Sequence, residues 1–294
     1  MSTLEQPFFN GVTFTIMIGE VEVTLSPHRT FTNLAFSRVD LSHLNLFSCS
    51  FDNCSFTDCN LVDVDWSGST FTDCTVANCD MSSSVMYETV LKDCKLAKCN
   101  LTGMRTYSSN FDQVHISSCT LDSMRVIETE FVSSVVEHCT FDGAEWRNCV
   151  IACSTVRSLR AIDESPRLSL VGVTHTVLDG VELHGAELND CFFTSVKMFK
   201  CNFWKSTFYS PLFRDCTISH VGMNKTIIYD GLFFKSPLFG CRMRLTDFDH
   251  CILEQSDIVA CSLAGADLSR ALLHESTLID DRYSEGGYHP TVLP

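Results

Sequence analysis

The sequence predicts an all-β solenoid whose chain turns through square coils of short extended segments. Three observations carry this. A large apolar residue recurs every fifth position: from Phe36 to Val156, 24 of 25 such positions are apolar, Thr106 being the exception, and from Leu168 to Leu278 all 23 are. A mostly small residue (Cys, Ser, Thr, Ala or Val) stands two places before each of them. The three remaining positions hold most of the Asp, Asn, Ser, Lys and Arg. A period of five fits neither the 3.6 of a helix nor the 2 of a strand. Regular internal repetition outranks local propensity as a fold signal.

Two inward positions in every five mean that the chain bends after each short segment. Four segments then close one coil of twenty residues, and successive coils stack like neighbouring strands about 4.8 Å apart. The 48 centres, 47 of them apolar, give about twelve coils and a rod on the order of 58 Å long at that spacing. No single coil buries its apolar residues alone, so stability comes from stacking on neighbours.

The elements follow in order. Residues 1–30 are expected to cap the amino-terminal end, which otherwise leaves stacked backbone edges open. Within them FTIMIGEVEVTL (14–25) alternates apolar and polar residues around Gly19-Glu20 and reads as a hairpin. Residues 31–161 form the first repeat block. Between the blocks the phase slips by two at RAIDESPRL (160–168), where charges and Pro166 mark a turn or short loop over 162–167. The slip reads as an insertion in one continuous rod, as a hinge between two shorter ones, or as a loop that meets a partner through Arg160, Asp163, Glu164 and Arg167. Residues 168–281 form the second block. The Gly- and Pro-containing end, 282–294, is expected to be a loop or extended tail, without the period of a dimerising helix.

The units CNLVD (59–63), CNLTG (99–103), AELND (186–190) and ADLSR (266–270) resemble the pentapeptide-repeat family, and the resemblance extends over roughly residues 31–281. It implies a right-handed quadrilateral β-helix. Met104, Met124, Pro211 and Gly231 depart from the family's small residue, so local distortion of the square section is expected there.

The composition narrows the function. The net charge of −15 argues against non-specific nucleic-acid binding and leaves basic protein partners open. No run of about 18 or more apolar residues occurs, so no membrane-spanning helix is expected. The first twenty residues lack a basic segment ahead of an apolar one, which points to the cytoplasm, or to export without a cleaved signal. Seventeen cysteines, an odd number, favour reduced thiols over a disulfide framework. Sixteen of them occupy the small inward position, where cysteine packs as a small hydrophobe. Cys59, Cys79, Cys99, Cys119 and Cys139, spaced by twenty, should climb one corner in single file, which does not converge on a metal. Cys153 alone falls outward.

No H-E-x-x-H, G-x-S-x-G, P-loop or G-x-G-x-x-G pattern occurs, so neither an enzyme nor a cofactor is expected. A polar pocket near Arg160, Asp163 and Glu164 is what an enzyme reading would require. The outer surface is more informative. Asp52, Asp73, Asp93, Asp112 and Glu130 are expected on one side in successive coils, as a carboxylate line spaced about 5 Å apart. Such a line either imitates a phosphate backbone for a basic groove or keeps the rod soluble and its edges unpaired. Residues 197–244 carry eight Lys or Arg against two Asp. The resemblance implies a protein partner such as DNA gyrase, because some members of the family protect type II topoisomerases. Other members are secreted effectors, and a host protein is the alternative partner.

Overall fold

The computed structural model describes residues 13–279 and 291–293. Phe14–Ile18 and Val21–Leu25 form the antiparallel hairpin, with Gly19 at its tip at φ +61°. Phe14, Ile16 and Ile18 pack against the core, and Val23 and Leu25 are buried, so the hairpin closes the amino-terminal end of the solenoid.

Beyond it every strand is short, mostly three residues, and every pairing is parallel. The four walls of the coil follow one another in sequence. The first carries a fourteen-stranded sheet from Thr30–Thr32 to Thr291–Leu293. The second carries thirteen strands from Ala35–Ser37 to Leu278–Ile279, and the fourth nine, from Val85–Tyr87 to Asp247–Asp249. The third is held mainly by single bridges, as in Asp40↔Asn60↔Asp80↔Asn100. There a hydrogen-bonded turn follows most centres (Met104 N–H donates to Leu101 C=O at 3.1 Å, Thr226 N–H to Met223 C=O at 3.1 Å), which leaves too little extended chain for a strand.

Parallel pairing at a twenty-residue offset sets like against like. On the first wall Phe31, Phe51, Phe71 and Leu91 register in turn. Their rings stack with centroids 5.0 and 4.9 Å apart, and Phe193–Phe213–Phe233 repeat this at 4.8 and 4.7 Å. These separations match the rung spacing of about 4.8 Å, so an aromatic centre fills its level without tilting the coil. Thr106, the polar centre, is buried and lies 3.3 Å from the Thr129 hydroxyl.

At nearly every corner the second residue after the centre has a left-handed backbone, as at Asn53 (φ 50°), Asp73 (52°) and Lys98 (56°); Asp163 and Arg270 do not. Asn, Asp and Gly tolerate this conformation best, which gives the outer polar positions a conformational reason besides solubility. Leu170, Leu245 and Ala260 hold the same conformation without that advantage.

The phase slip is an insertion of two residues. Ala161 is a buried third-wall centre, and the next centre is Leu168. Glu145–Arg147 pairs directly with Arg167–Ser169, Val150–Ala152 with Gly172–Thr174, and Thr155–Arg157 with Val177–Asp179, all at an offset of 22. Three ladders therefore cross the slip unbroken, and the two extra residues bulge outward on the third wall. At the far end Thr291–Leu293 pairs with Leu272–His274, so the expected tail carries a final rung; the rest of 280–294 lies outside the described residues.

All seventeen cysteines are free, sixteen of them buried and Cys153 exposed. The buried ones do more than fill space. The amides of the small corner residues lie outside the ladders and need an acceptor. Some, such as Met104, use the turn carbonyl three residues back, and at many others a Ser, Thr or Cys one rung higher supplies it. Val114 N–H donates to Ser134 Oγ (3.0 Å) and Ser134 N–H to Ser154 Oγ (3.0 Å), while Ser134 Oγ–H is within reach of the Phe111 carbonyl (3.1 Å). Cysteine makes the same links more weakly: Cys99 N–H to Cys119 Sγ (3.3 Å), and Cys74 Sγ–H to Phe51 C=O (3.4 Å). Burial pushes the Cys191 and Cys201 thiols up to about 11 and Cys251 up to about 12, which keeps them protonated at neutral pH.

Two outcomes follow. A thiol reagent should titrate about one equivalent per native chain, at Cys153, and all seventeen after unfolding; several fast native equivalents would contradict the packing. Ser134→Ala leaves the buried Val114 amide without its acceptor and should cost about 1–3 kcal/mol in urea unfolding, whereas Cys119→Ser, which keeps a donor and an acceptor, should change stability by less.

Candidate interaction surface

The five predicted carboxylates all lie on the first wall, one to a rung, and Asp52, Asp73, Asp93 and Glu130 are exposed while Asp112 is half-buried. They do not share one column. Asp52 and Asp112 follow their inward centres directly, Asp73 and Asp93 stand one place further at the left-handed corner, and Glu130 precedes its centre. Lys92 registers against Asp112, between the two corner carboxylates in sequence. The wall is thus an acidic patch three columns wide rather than a straight line. Periodicity placed the residues on the wall, and the order within each five-residue unit, which decides the column, was equally present in the sequence.

The four loop residues come together around the insertion. Arg160 reaches Glu182 at 3.7 Å, and Arg167 reaches Glu145 at 3.9 Å and Glu187 at 3.6 Å, tying rungs on either side. Exposed pairs of this kind contribute little stability. The stronger contact was not singled out from the sequence: Asp142 Oδ1 accepts the amides of Ile162 (2.7 Å), Asp163 (3.0 Å) and Glu164 (3.3 Å). Three N–H groups converging on one carboxylate oxygen fix the bulge. Asp163 and Glu164 remain exposed. Beneath the loop is a cavity of about 70 Å³ lined chiefly by apolar side chains, among them Phe141, Trp146, Leu168, Leu183 and Phe203, and not by Arg160, Asp163 or Glu164. It spans the rungs on either side of the insertion, with Phe141 and Leu183 of the third wall in its lining. Its two hydroxyl residues, Ser134 and Ser154, are bonded to the Phe111 and Phe131 carbonyls, and an apolar void of this kind stays dry.

The basic stretch divides among the walls: Arg214 and Lys235 on the first, Lys197 and Lys200 on the second, and Lys205, Lys225, Arg242 and Arg244 on the third. Aromatic rings accompany it. Lys200 Nζ lies 4.7 Å from the Phe199 ring centre, Lys205 Nζ 4.3 Å from Trp204, and Lys235 Nζ 5.1 Å from Phe234. Such contacts hold extended side chains against the wall.

Comparison with solved structures returns β-solenoids. HetL from the cyanobacterium Nostoc sp. strain PCC 7120, a pentapeptide repeat protein involved in heterocyst differentiation regulation, is 14% identical over 90% of this chain and 92% of its own, with a TM-score of 0.30. Full-length QnrB1, a plasmid-mediated fluoroquinolone resistance protein, is 13% identical over 87% and 94%, with a TM-score of 0.26. The A-module of the Azotobacter vinelandii mannuronan C-5 epimerase AlgE4 is 8% identical over 90% of each chain, with a TM-score of 0.31. Similarity of this size carries no functional argument. No curated protein sequence matches the chain. Family comparison is decisive: residues 69–146 match the pentapeptide repeat region, and residues 35–73, 49–86 and 241–280 match pentapeptide repeats in eight copies. With just over half of its residues matched and a parallel solenoid of twenty-residue coils, the chain belongs to the pentapeptide-repeat family.

Proposed function

We propose that this chain is a non-enzymatic protein-interaction scaffold whose first wall presents Asp52, Asp73, Asp93, Asp112 and Glu130 to a basic groove on a protein partner, with the DNA-binding groove of a type II topoisomerase such as DNA gyrase as the partner class. The observation that supports it is one carboxylate on each of five consecutive rungs of a single sheet. A rigid wall holds these charges without further ordering cost on binding, which favours association.

Charge density sets the expected strength. Duplex DNA carries about one phosphate per 1.7 Å of axis, or about eleven over the roughly 19 Å that five rungs span. The wall offers five carboxylates and, with Lys92 among them, a net four. It is a dilute imitation of a phosphate backbone, so the contact is salt-sensitive and in the micromolar range rather than tighter.

The test is a gyrase supercoiling assay with a pull-down at about 0.05 and 0.5 M salt. Inhibition or protection at micromolar protein, with capture lost at the higher salt, is expected. The variant carrying Asp52→Asn, Asp73→Asn, Asp93→Asn, Asp112→Asn and Glu130→Gln should lose at least about tenfold in affinity, or 1.4 kcal/mol, while keeping its far-UV spectrum. No effect of the wild-type chain at micromolar concentration would overturn the assignment.

A further inference from the structure

The third wall, opposite the first, segregates its charges along the rod. From Asp40 to Gly143 its outward positions carry Asp40, Asp63, Asp80, Asp122 and Asp142, with neither Lys nor Arg. From Asn202 to Gly265 they carry Lys205, Lys225, Arg242 and Arg244, with neither Asp nor Glu. The other walls are mixed. The first has Lys92 beside Asp112 and Asp215 next to Arg214. The second has Lys95 and Lys98 between Asp58 and Glu137. The fourth carries an alternating ladder, Arg125–Glu145–Arg167–Glu187. Among the described residues none of the four third-wall cations forms an ion pair, although the repeat places a potential partner position on each neighbouring rung. Trp204 and Leu245, 38% and 48% exposed, stand among them.

We infer that the third wall is a self-association surface on which a second copy of this chain packs antiparallel, acidic half against basic half. A parallel arrangement sets like charge on like charge, so the pairing is a two-fold one in which each contact occurs twice. The rungs fix one register. With the two-fold axis at the Phe141 rung, the Leu41 rung faces the Met243 rung, Leu61 faces Met223, Met81 faces Phe203 and Leu121 faces Ala161. Asp40 then meets Arg242 and Arg244, Asp63 meets Lys225 and Asp80 meets Lys205, while Asp122 faces the Ala161 rung, where Arg160 is already paired with Glu182 and the outward bulge carries the exposed Asp163 and Glu164. Glu182 faces the uncharged Asn100 and Thr102. Asp142 lies at the axis, where one of its carboxylate oxygens is already held by three amides. A shift by one rung toward the 263 end sets Asp122 against Glu182 and leaves Lys205 facing no acid.

Size and charge set the strength. The bulge after Ala161 keeps the central rungs apart, so contact is confined to three rungs at each end, which for a wall about 12 Å wide give on the order of 350 Å² per copy, well below the roughly 800 Å² of a standard stable interface. The dimer is therefore reversible. Each copy carries −15 overall, but at about 0.1 M salt the Debye length of roughly 10 Å screens the distant charges while the contacts persist. This inference does not rest on the function proposed above. It leaves the first wall facing outward on both copies.

Sedimentation equilibrium tests it, using two charge-reversed chains: Lys205→Glu with Lys225→Glu, Arg242→Glu and Arg244→Glu, and Asp40→Lys with Asp63→Lys and Asp80→Lys. The substituted positions point outward, and Lys already occupies the left-handed corner at Lys205 and Lys225, so Asp63→Lys suits its backbone. At about 0.1 M salt and about 100 µM protein the wild type should have twice its 32.9 kDa mass, falling to 32.9 kDa at about 1 M salt. Each reversed chain alone should be monomeric. Their equimolar mixture should recover the doubled mass, because both contacts are then complementary again. A monomeric wild type at the lower salt, a reversed chain that still dimerises alone, or a mixture that stays monomeric would overturn it. Capture of labelled single-stranded DNA by a monomeric wild type, abolished by reversing the basic half, would assign that half to a polyanion instead.

Discussion

Parallel stacking of like on like, twenty residues apart, is the constraint from which the rest of the molecule follows. Each rung leaves its apolar centre and small corner residue exposed above and below until a neighbouring rung covers them. Phe51 between Phe31 and Phe71 is covered on both sides at ring distances close to the strand spacing. A residue of different shape at that position opens a gap or pushes the next rung away. That condition keeps the period at five through the described rungs, and it explains why the two-residue insertion after Ala161 bulges outward instead of shifting the axis.

The same stacking reduces the outer surface to a small set of columns. An outward residue sits in one of three places on a wall, with a fixed neighbour above and below. Charge can therefore accumulate in stripes or patches simply through which residue each rung carries. The first wall collects carboxylates, the third separates acid from base, and the fourth alternates them in cross-rung pairs. A scaffold of this kind recognises partners with surfaces already in place, so that binding orders few side chains. The cavity beneath the insertion belongs to the same logic: where successive rungs differ in length, side chains that pack on one neighbour leave space against the other.

Most of the architecture was legible in the sequence because the repeat is a count. The five-residue period, the hairpin around Gly19 and the inward place of sixteen cysteines are all properties of spacing, and the structure agrees on each. What spacing did not disclose lies in backbone conformation and in hydrogen bonding. The left-handed corner that selects Asn, Asp and Gly becomes apparent only with the dihedral angles. The hydroxyl and thiol relay through Ser134 and Cys119 depends on an amide that no ladder claims. Asp142, an ordinary outward residue by position, became important because an insertion twenty residues later aimed three amides at it. For the acidic wall, membership followed from the period, whereas its three-column width depended on where in each unit the carboxylate stood.

The central claim is that one unbroken axis runs through the two-residue insertion. The most direct measurement is the electron spin resonance distance between labels at Asn53→Cys and Gln255→Cys, in a Cys153→Ser background. Both sites lie at the same corner of the first wall, ten rungs apart across the insertion. A continuous rod predicts a single narrow distribution near 48 Å, from a rung spacing of about 4.8 Å. A broad distribution, or one centred well below that distance, would mean that the two blocks bend against each other and that the axis is not one.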